Sequence, residues 1–314
     1  MPSEAPGSPR PSAPLKLVYV LGSYRSGTTV LGALLGAAPG IRTAGEMQAL
    51  PAAFWENRQR CSCGEPIAQC PFWTDVRQYA ETRVDLHALR AGQRRFETYH
   101  GTLRDFGRGL FARREFRRHV ERVAAFTEAV AGRTGHRILV DLSKNPIRGY
   151  VRRFLPRSRI DVYYLHVVRD GRAVMYSRTW RPGGGRIRPL MQGPAAMTAR
   201  WIIVNLASSY LCGGRPDRYL RLQYEELVAH PRATLERIGR FLGTDLSPVI
   251  DLLERGEAVP LDHLVAANLR LRKAPELVLR SDDAWRTELP RSSARTFRWI
   301  GGWLARHYGY RDPS

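Results

Sequence analysis

Leu15-Lys16-Leu17-Val18-Tyr19-Val20-Leu21-Gly22-Ser23-Tyr24-Arg25-Ser26-Gly27-Thr28-Thr29 is the stretch whose reading decides the fold. Its first half is almost continuously apolar over 15–21, as a strand is when both faces of a parallel sheet are covered. Gly22 and Gly27 then allow a tight turn, and a second apolar run, 29–37, reads as a helix stopped by Pro39-Gly40. Strand, glycine-containing turn and helix N-terminus together aim free backbone N–H groups and the helix dipole at an anion.

The spacing is close to the nucleotide-binding loop G-x-x-x-x-G-K-[ST], with Thr28 in place of the lysine and a cation, Arg25, inside the loop. A loop without that lysine is a poor site for a β/γ-phosphate with magnesium. It can still cradle one anionic group, with Arg25 as a donor fork and the hydroxyls of Ser26, Thr28 and Thr29 beside it. A turn rich in Ser and Thr for structural reasons alone is the plain alternative.

Further strands are expected at 137–142, 160–168 and 219–224, and helices at 172–178, 195–211, 231–242 and 291–307. Phe96, Tyr99, Leu103, Phe106 and Leu110 keep a helical spacing, as do Val120, Val123 and Val130. Such alternation predicts an α/β fold: one domain, a parallel sheet flanked by helices. The 314 residues suit a single domain over 15–314, preceded by a Pro/Ser-rich tail, 1–14, expected to be disordered. No apolar run reaches the ~20 residues of a membrane span, so no span is expected, and the few cysteines suggest a reducing cytoplasm.

Fifty basic residues against 29 acidic ones give +21, and only Lys16, Lys144 and Lys273 are lysines. That balance favours anionic partners without choosing among them. Ten arginines fall within 90–122, where a solvated helix face is the first reading and a basic wall for an acidic acceptor the second. Nucleic acid is not expected, because no recognition helix or aromatic platform accompanies the charge.

Two later stretches bear on the loop. Residues 163–168 run into Arg169-Asp170-Gly171-Arg172-Ala173-Val174-Met175-Tyr176-Ser177-Arg178, and Arg221-Leu222-Gln223-Tyr224-Glu225-Glu226-Leu227 is followed by His230-Pro231 and Phe241-Leu242-Gly243. With R-S-G-T-T after the first strand, these resemble, in order, the motifs of sulfotransferases that use 3′-phosphoadenosine 5′-phosphosulfate. Asp282 to Tyr310 is similar to the C-terminal region of bacterial and tyrosylprotein-type members. The resemblance implies a P-loop-like sulfotransferase fold. It implies a 5′-phosphosulfate loop at Arg25, Ser26, Gly27, Thr28 and Thr29, a 3′-phosphate clasp of Arg169 and Ser177, and a nucleotide contact from Tyr224. Arg172 and Arg178 are read as surface or helix-pairing residues, and Arg181 as a possible further phosphate contact. His263 begins a stretch similar to the family's H-x-x-x-G-N-x-x-R, with Asn268 present and Ala267 in place of the glycine, which leaves contacts from Arg270 or Arg272 open.

Sulfuryl transfer needs positioning, a base and stabilisation of charge on the leaving phosphate. The resemblance implies Glu46, after Gly45, as the base and Lys144, after Ser143, as the stabiliser, with Arg25 assisting. In so arginine-rich a chain a lysine at 144 suggests that a compact ammonium is wanted. The plain alternatives are a helix-end carboxylate and a surface lysine. His166, within an apolar strand, reads as a satisfied core histidine.

Cys61, Cys63 and Cys70 form C-x-C-x₆-C, and Cys212 lies far off. Loop thiols, a Cys61- or Cys63-to-Cys70 disulfide, and zinc with one ligand short of four all stay open. Phe54, Trp55, Phe72 and Trp73 are expected to help wall an acceptor pocket. The expected function is transfer of a sulfuryl group from 3′-phosphoadenosine 5′-phosphosulfate to an acceptor hydroxyl, with no metal required. A magnesium-ATP kinase and a polyanion-binding module are the rivals.

Overall fold

Leu17, Tyr19 and Leu21 face one side of the sheet and Val18 and Val20 the other, and all five are buried. They belong to β1 (Leu15–Gly22), whose neighbours are β2 (Ile41–Gly45), β3 (Ile138–Lys144), β4 (Ile160–Val168) and β5 (Tyr219–Gln223). The five strands form one parallel sheet in the order β2-β3-β1-β4-β5. This is a computed structural model, and it describes residues 13–56, 59–99, 113–179, 193–265, 276, 277, 279 and 282–310. The expected tail to residue 12, and Arg181, Ala267, Asn268, Arg270 and Arg272, lie outside the described residues.

Helices cover both faces, which is why a parallel sheet can be apolar throughout. On one face lie α1 (Thr28–Gly36), with Leu31, Leu34 and Leu35 turned to the sheet, and later helices at Pro231–Leu242 and Ser247–Glu254. On the other are α2 (Pro71–Glu81), α3 (Leu86–Phe96), α4 (Arg113–Thr134) and α5 (Pro146–Arg152). A third apolar cluster joins α6 (Gly171–Thr179), α7 (Pro194–Cys212) and α8 (Arg291–His307) around Trp201 and Phe297.

β2 was not expected from the sequence. Its five residues, Ile-Arg-Thr-Ala-Gly, carry Arg42, yet that side chain is buried, ion-paired to Asp262 and stacked on Phe72. The helical spacing is interrupted after Phe96, where α3 ends and Glu97 turns into the core to meet Arg152 and His119, and Tyr99 is helical again. Leu103, Phe106 and Leu110 lie outside the described residues. In α4, Arg114, Arg117 and Arg118 are exposed, and Arg95 pairs with Glu115, as a solvated face requires. His166 is the core histidine expected: its Nε2 donates to Asn205 Oδ1 (3.0 Å), and its Nδ1 accepts from Tyr219 Oη (2.6 Å).

Connections leave β1 to one side through β2 and cross to the other between β3 and β4. The loop after β1 therefore sits where ligands bind in open α/β sheets, at the carboxyl ends where the winding reverses.

Candidate active site

Two non-glycine residues adopt positive φ among the described residues, Arg25 (70°) and Lys144 (64°), and both are candidates for chemistry. A left-handed backbone costs a side-chain-bearing residue about 1–2 kcal/mol, so the surrounding fold must hold each one there. For Lys144 the cause is a bulge. Tyr19 and Leu21 pair with Asp141 and Lys144, so β3 spends one residue more than β1 over this step. A matching irregularity on β2 brings Gly45 opposite Asp141. Bulges re-aim side chains at strand ends, and these two turn Lys144 and the residue after Gly45 toward each other.

The result is a close ion pair: Lys144 Nζ donates to Glu46 Oε1 at 2.5 Å. Glu46 stands at the start of a 3₁₀ turn, Met47–Ala49, without capping it; its other oxygen accepts from Gln48 Nε2 at 3.4 Å. The helix-end alternative for Glu46 thus has no capping bond behind it. Behind the pair, Gln48 N–H donates to Ser143 Oγ at 3.2 Å, and Ser143 donates to Asp141. Burial pushes the Asp141 carboxyl up from its ordinary range.

Across the edge, the loop closes with Ser26 N–H on Ser23 O (3.2 Å), and α1 begins at Gly27 with no side-chain cap and no acidic residue in its first turn. Its first N–H groups have no partner within the helix. Gly27 is fixed by space as well as by φ (85°): a Cβ there would lie 2.0 Å from the Tyr224 ring. That ring ties the third sequence motif to the loop and also lies under Arg169, 4.6 Å from centroid to guanidinium.

Arg169, just past β4, is buried and locked. Nη1 donates to Arg25 O (3.1 Å), Nη2 to the Asp282 carboxylate (3.1 Å), and Trp201 Nε1 holds its carbonyl at 3.0 Å. Ser177 is buried two turns along α6, and no hydrogen bond joins it to Arg169. Arg169 Nε and Ser26 Oγ are buried without a hydrogen-bond partner. Buried donors are nearly always satisfied, and what these two share is the capacity to donate to phosphate oxygens. These donors fit a bound anion.

Three residues here escaped the sequence reading. Tyr24 is exposed, and Lys144, Arg178 and Arg200 lie 5.6, 5.7 and 5.0 Å from its ring centroid. Arg178 is half-buried, and burial, then Arg200, pulls its guanidinium below the usual range. Arg200 sits in mid-helix without a motif, and Asp282, the partner of Arg169, likewise lacked any sequence signal. Arg172 is buried, bound to Asp170 at 2.7 Å and 5.0 Å from the Trp285 ring centroid. The expected aromatic wall is corrected for Phe54 and Trp73, which are core residues; Trp55 is exposed and stacked on His87 at 4.5 Å, and Phe72 stacks on His263.

A family model described as the sulfotransferase family matches residues 18–248. Among solved structures, the chain is similar to the sulfotransferase domain of the Synechococcus PCC 7002 olefin synthase. The two share 20% identity at a TM-score of 0.52, over 99% of this chain and 100% of that one. It is also similar to the sulfotransferase domain from the curacin biosynthetic pathway, with 18% identity and a TM-score of 0.58, over 96% of this chain and 100% of that one.

Proposed function

The chain belongs to the sulfotransferase family, and on that premise we propose that it moves a sulfuryl group from 3′-phosphoadenosine 5′-phosphosulfate to the hydroxyl of an acceptor. The observation that carries the reading is the pair of buried, unpartnered donors, Ser26 Oγ within the loop and Arg169 Nε, whose guanidinium bonds to Arg25 O of the same loop.

In this reading the loop from Arg25 to Thr29 and the first turn of α1 bind the donor's 5′-phosphosulfate. Arg169 and Ser177 serve the 3′-phosphate, and Tyr224 fixes the loop and offers a ring face to the nucleotide. Glu46 takes the acceptor proton as the acceptor oxygen bonds to sulfur in line with the departing phosphate. Lys144 and Arg25 stabilise the charge that gathers on the bridging oxygen. Because Lys144 Nζ already holds Glu46, it orients the base until the donor's bridging oxygen competes for the same ammonium. The transfer step asks for no metal. The acceptor would be a small molecule, glycan, lipid or tyrosine reached from the Tyr24 and Trp55 side.

Among the described residues no helix is long and apolar enough to cross a membrane, and the few cysteines favour a reducing, cytoplasmic site of action. The test is radiolabelled transfer from 3′-phosphoadenosine 5′-phosphosulfate to a panel of hydroxylated acceptors. Labelled product that disappears in Glu46→Gln supports the reading; label from γ-labelled ATP instead of the sulfated donor would replace it with a kinase.

A further inference from the structure

His263 supplies the fourth ligand that the cysteine loop lacks in sequence. Its Nδ1 lies 3.4 Å from Cys61 Sγ and 3.4 Å from Cys70 Sγ, and Cys63 Sγ lies 3.8 Å from Cys70 Sγ. All four ligand atoms fall within 4.8 Å of one another. Zinc binds sulfur at about 2.3 Å and imidazole nitrogen at about 2.0 Å, so the edges of a tetrahedron around it measure roughly 3.8 Å between sulfurs and about 3.5 Å from sulfur to nitrogen. The three separations quoted match those edges, and the other three fall within the same 4.8 Å. A disulfide would instead bring two sulfurs to about 2.05 Å.

We propose that Cys61, Cys63, Cys70 and His263 bind one zinc ion as a closed structural site that holds the strand-like segment carrying His263 against the candidate base, Glu46.

The surroundings suit a ligated imidazole. Phe72 stacks on the His263 ring (centroids 5.1 Å apart, 12° between planes), and Arg42 lies over the other ring of that stack, 4.2 Å from the Phe72 centroid. Arg42 also donates to His263 O at 2.8 Å, fixing the residue through its backbone. Three thiolates and a neutral imidazole around a divalent cation carry one net negative charge, and the buried Arg42 guanidinium, shared with Asp262, lies beside them. Four protein ligands leave no open position, so the ion would be structural and take no part in the transfer.

What the site would secure is legible in the backbone. Ser62 N–H donates to Leu264 O at 3.1 Å, and Cys61 and Gly45 both bridge to Val265. Val265 N–H donates to Ala44 O (3.1 Å) and Glu46 N–H to Val265 O (3.4 Å). Gly45 is needed for this approach, since a Cβ there would lie 2.4 Å from Val265 O.

The test is metal content and amide exchange, neither of which needs donor or acceptor, so the result is separable from the proposed transfer. Protein purified with reductant and without chelator should carry about one zinc per chain through gel filtration, by elemental analysis. Cobalt exchanged into it should show thiolate-to-metal charge transfer and the bands of a tetrahedral site. Cys63→Ser removes an exposed ligand and leaves the core intact, so it should cut zinc retention at least tenfold; His263→Ala should do the same. In Cys63→Ser the Glu46 and Val265 amides should exchange faster than in the parent. Less than about a tenth of an equivalent of zinc in folded protein after zinc titration would overturn the proposal, as would a Cys63–Cys70 disulfide in protein kept reduced. Full zinc retention in His263→Ala would remove the histidine from the set, and unchanged amide exchange would remove the buttressing of Glu46.

Discussion

Glu46 and Lys144 are two candidates that the geometry makes one unit. Glu46→Gln takes away a proton acceptor, and the rate with a weakly acidic alcohol should fall by about 10²–10⁴, less for an acidic phenol. Lys144→Ala should slow all acceptors alike. Because the two side chains touch at 2.5 Å, each single change also frees the other group, and the double variant should lose less than the product of the singles. Single-turnover rates across a phenol series check this; strict multiplicativity would show that the pair works as separate parts. Gly27 offers a second residue-level test. Gly27→Ala drives a methyl into the Tyr224 ring and should destabilise the fold by about 1–3 kcal/mol in urea unfolding, with donor binding lost in the fraction that folds.

Strand ends do the positioning, and they explain how far the sequence could be read. β1, β3 and β4 announced themselves because continuous apolar runs have few other uses. β5 was legible as the short Tyr219–Gln223 run despite its Arg221 and Gln223, and the glycine turn after β1 marked the site's edge. β2 stayed hidden because its buried Arg42 is satisfied by Asp262 and Phe72, both distant in sequence. The bulge that sets Lys144 at positive φ is a property of register, which no single strand's pattern encodes. Arg200 and His263 reach their places only through tertiary packing. Arg169 was legible at the end of β4, though its lock on Asp282 was not. Arg169→Ala should weaken binding of a 3′-phosphorylated nucleotide by about 1.5–3 kcal/mol and barely change binding of the analogue without that phosphate. Equal losses in a titration of both ligands would show that Arg169 does not read the 3′ group.

Acid stability belongs to the whole molecule, because the groups responsible sit in different layers of the core. Burial lowers the imidazole of His166 to about 4. The unfolded chain therefore binds a proton that the folded chain refuses, and stability falls as pH drops from about 6.5 toward 4. Burial alone would raise Glu97, but Arg152, His119 and Arg148 overcome it and hold the carboxylate at about 2. Its contribution is complete above the unfolded value and lost as pH falls from about 4.5 to about 2. Unfolding free energy measured over that range should decline in both windows. His166→Gln should flatten the upper one alone, and a decline unchanged in that variant would assign it to another group.

The central claim is that the glycine turn and Arg169 form one site for a 3′-phosphorylated nucleotide rather than for magnesium-ATP. Isothermal calorimetry of the intact chain with 3′-phosphoadenosine 5′-phosphate, and separately with ATP plus magnesium, tests it most directly. The account predicts tight, magnesium-independent binding of the first ligand, weakened at least tenfold in Arg169→Ala, and weak or no binding of the second. Preference for magnesium-ATP, or binding of the first ligand that Arg169→Ala leaves untouched, would contradict it.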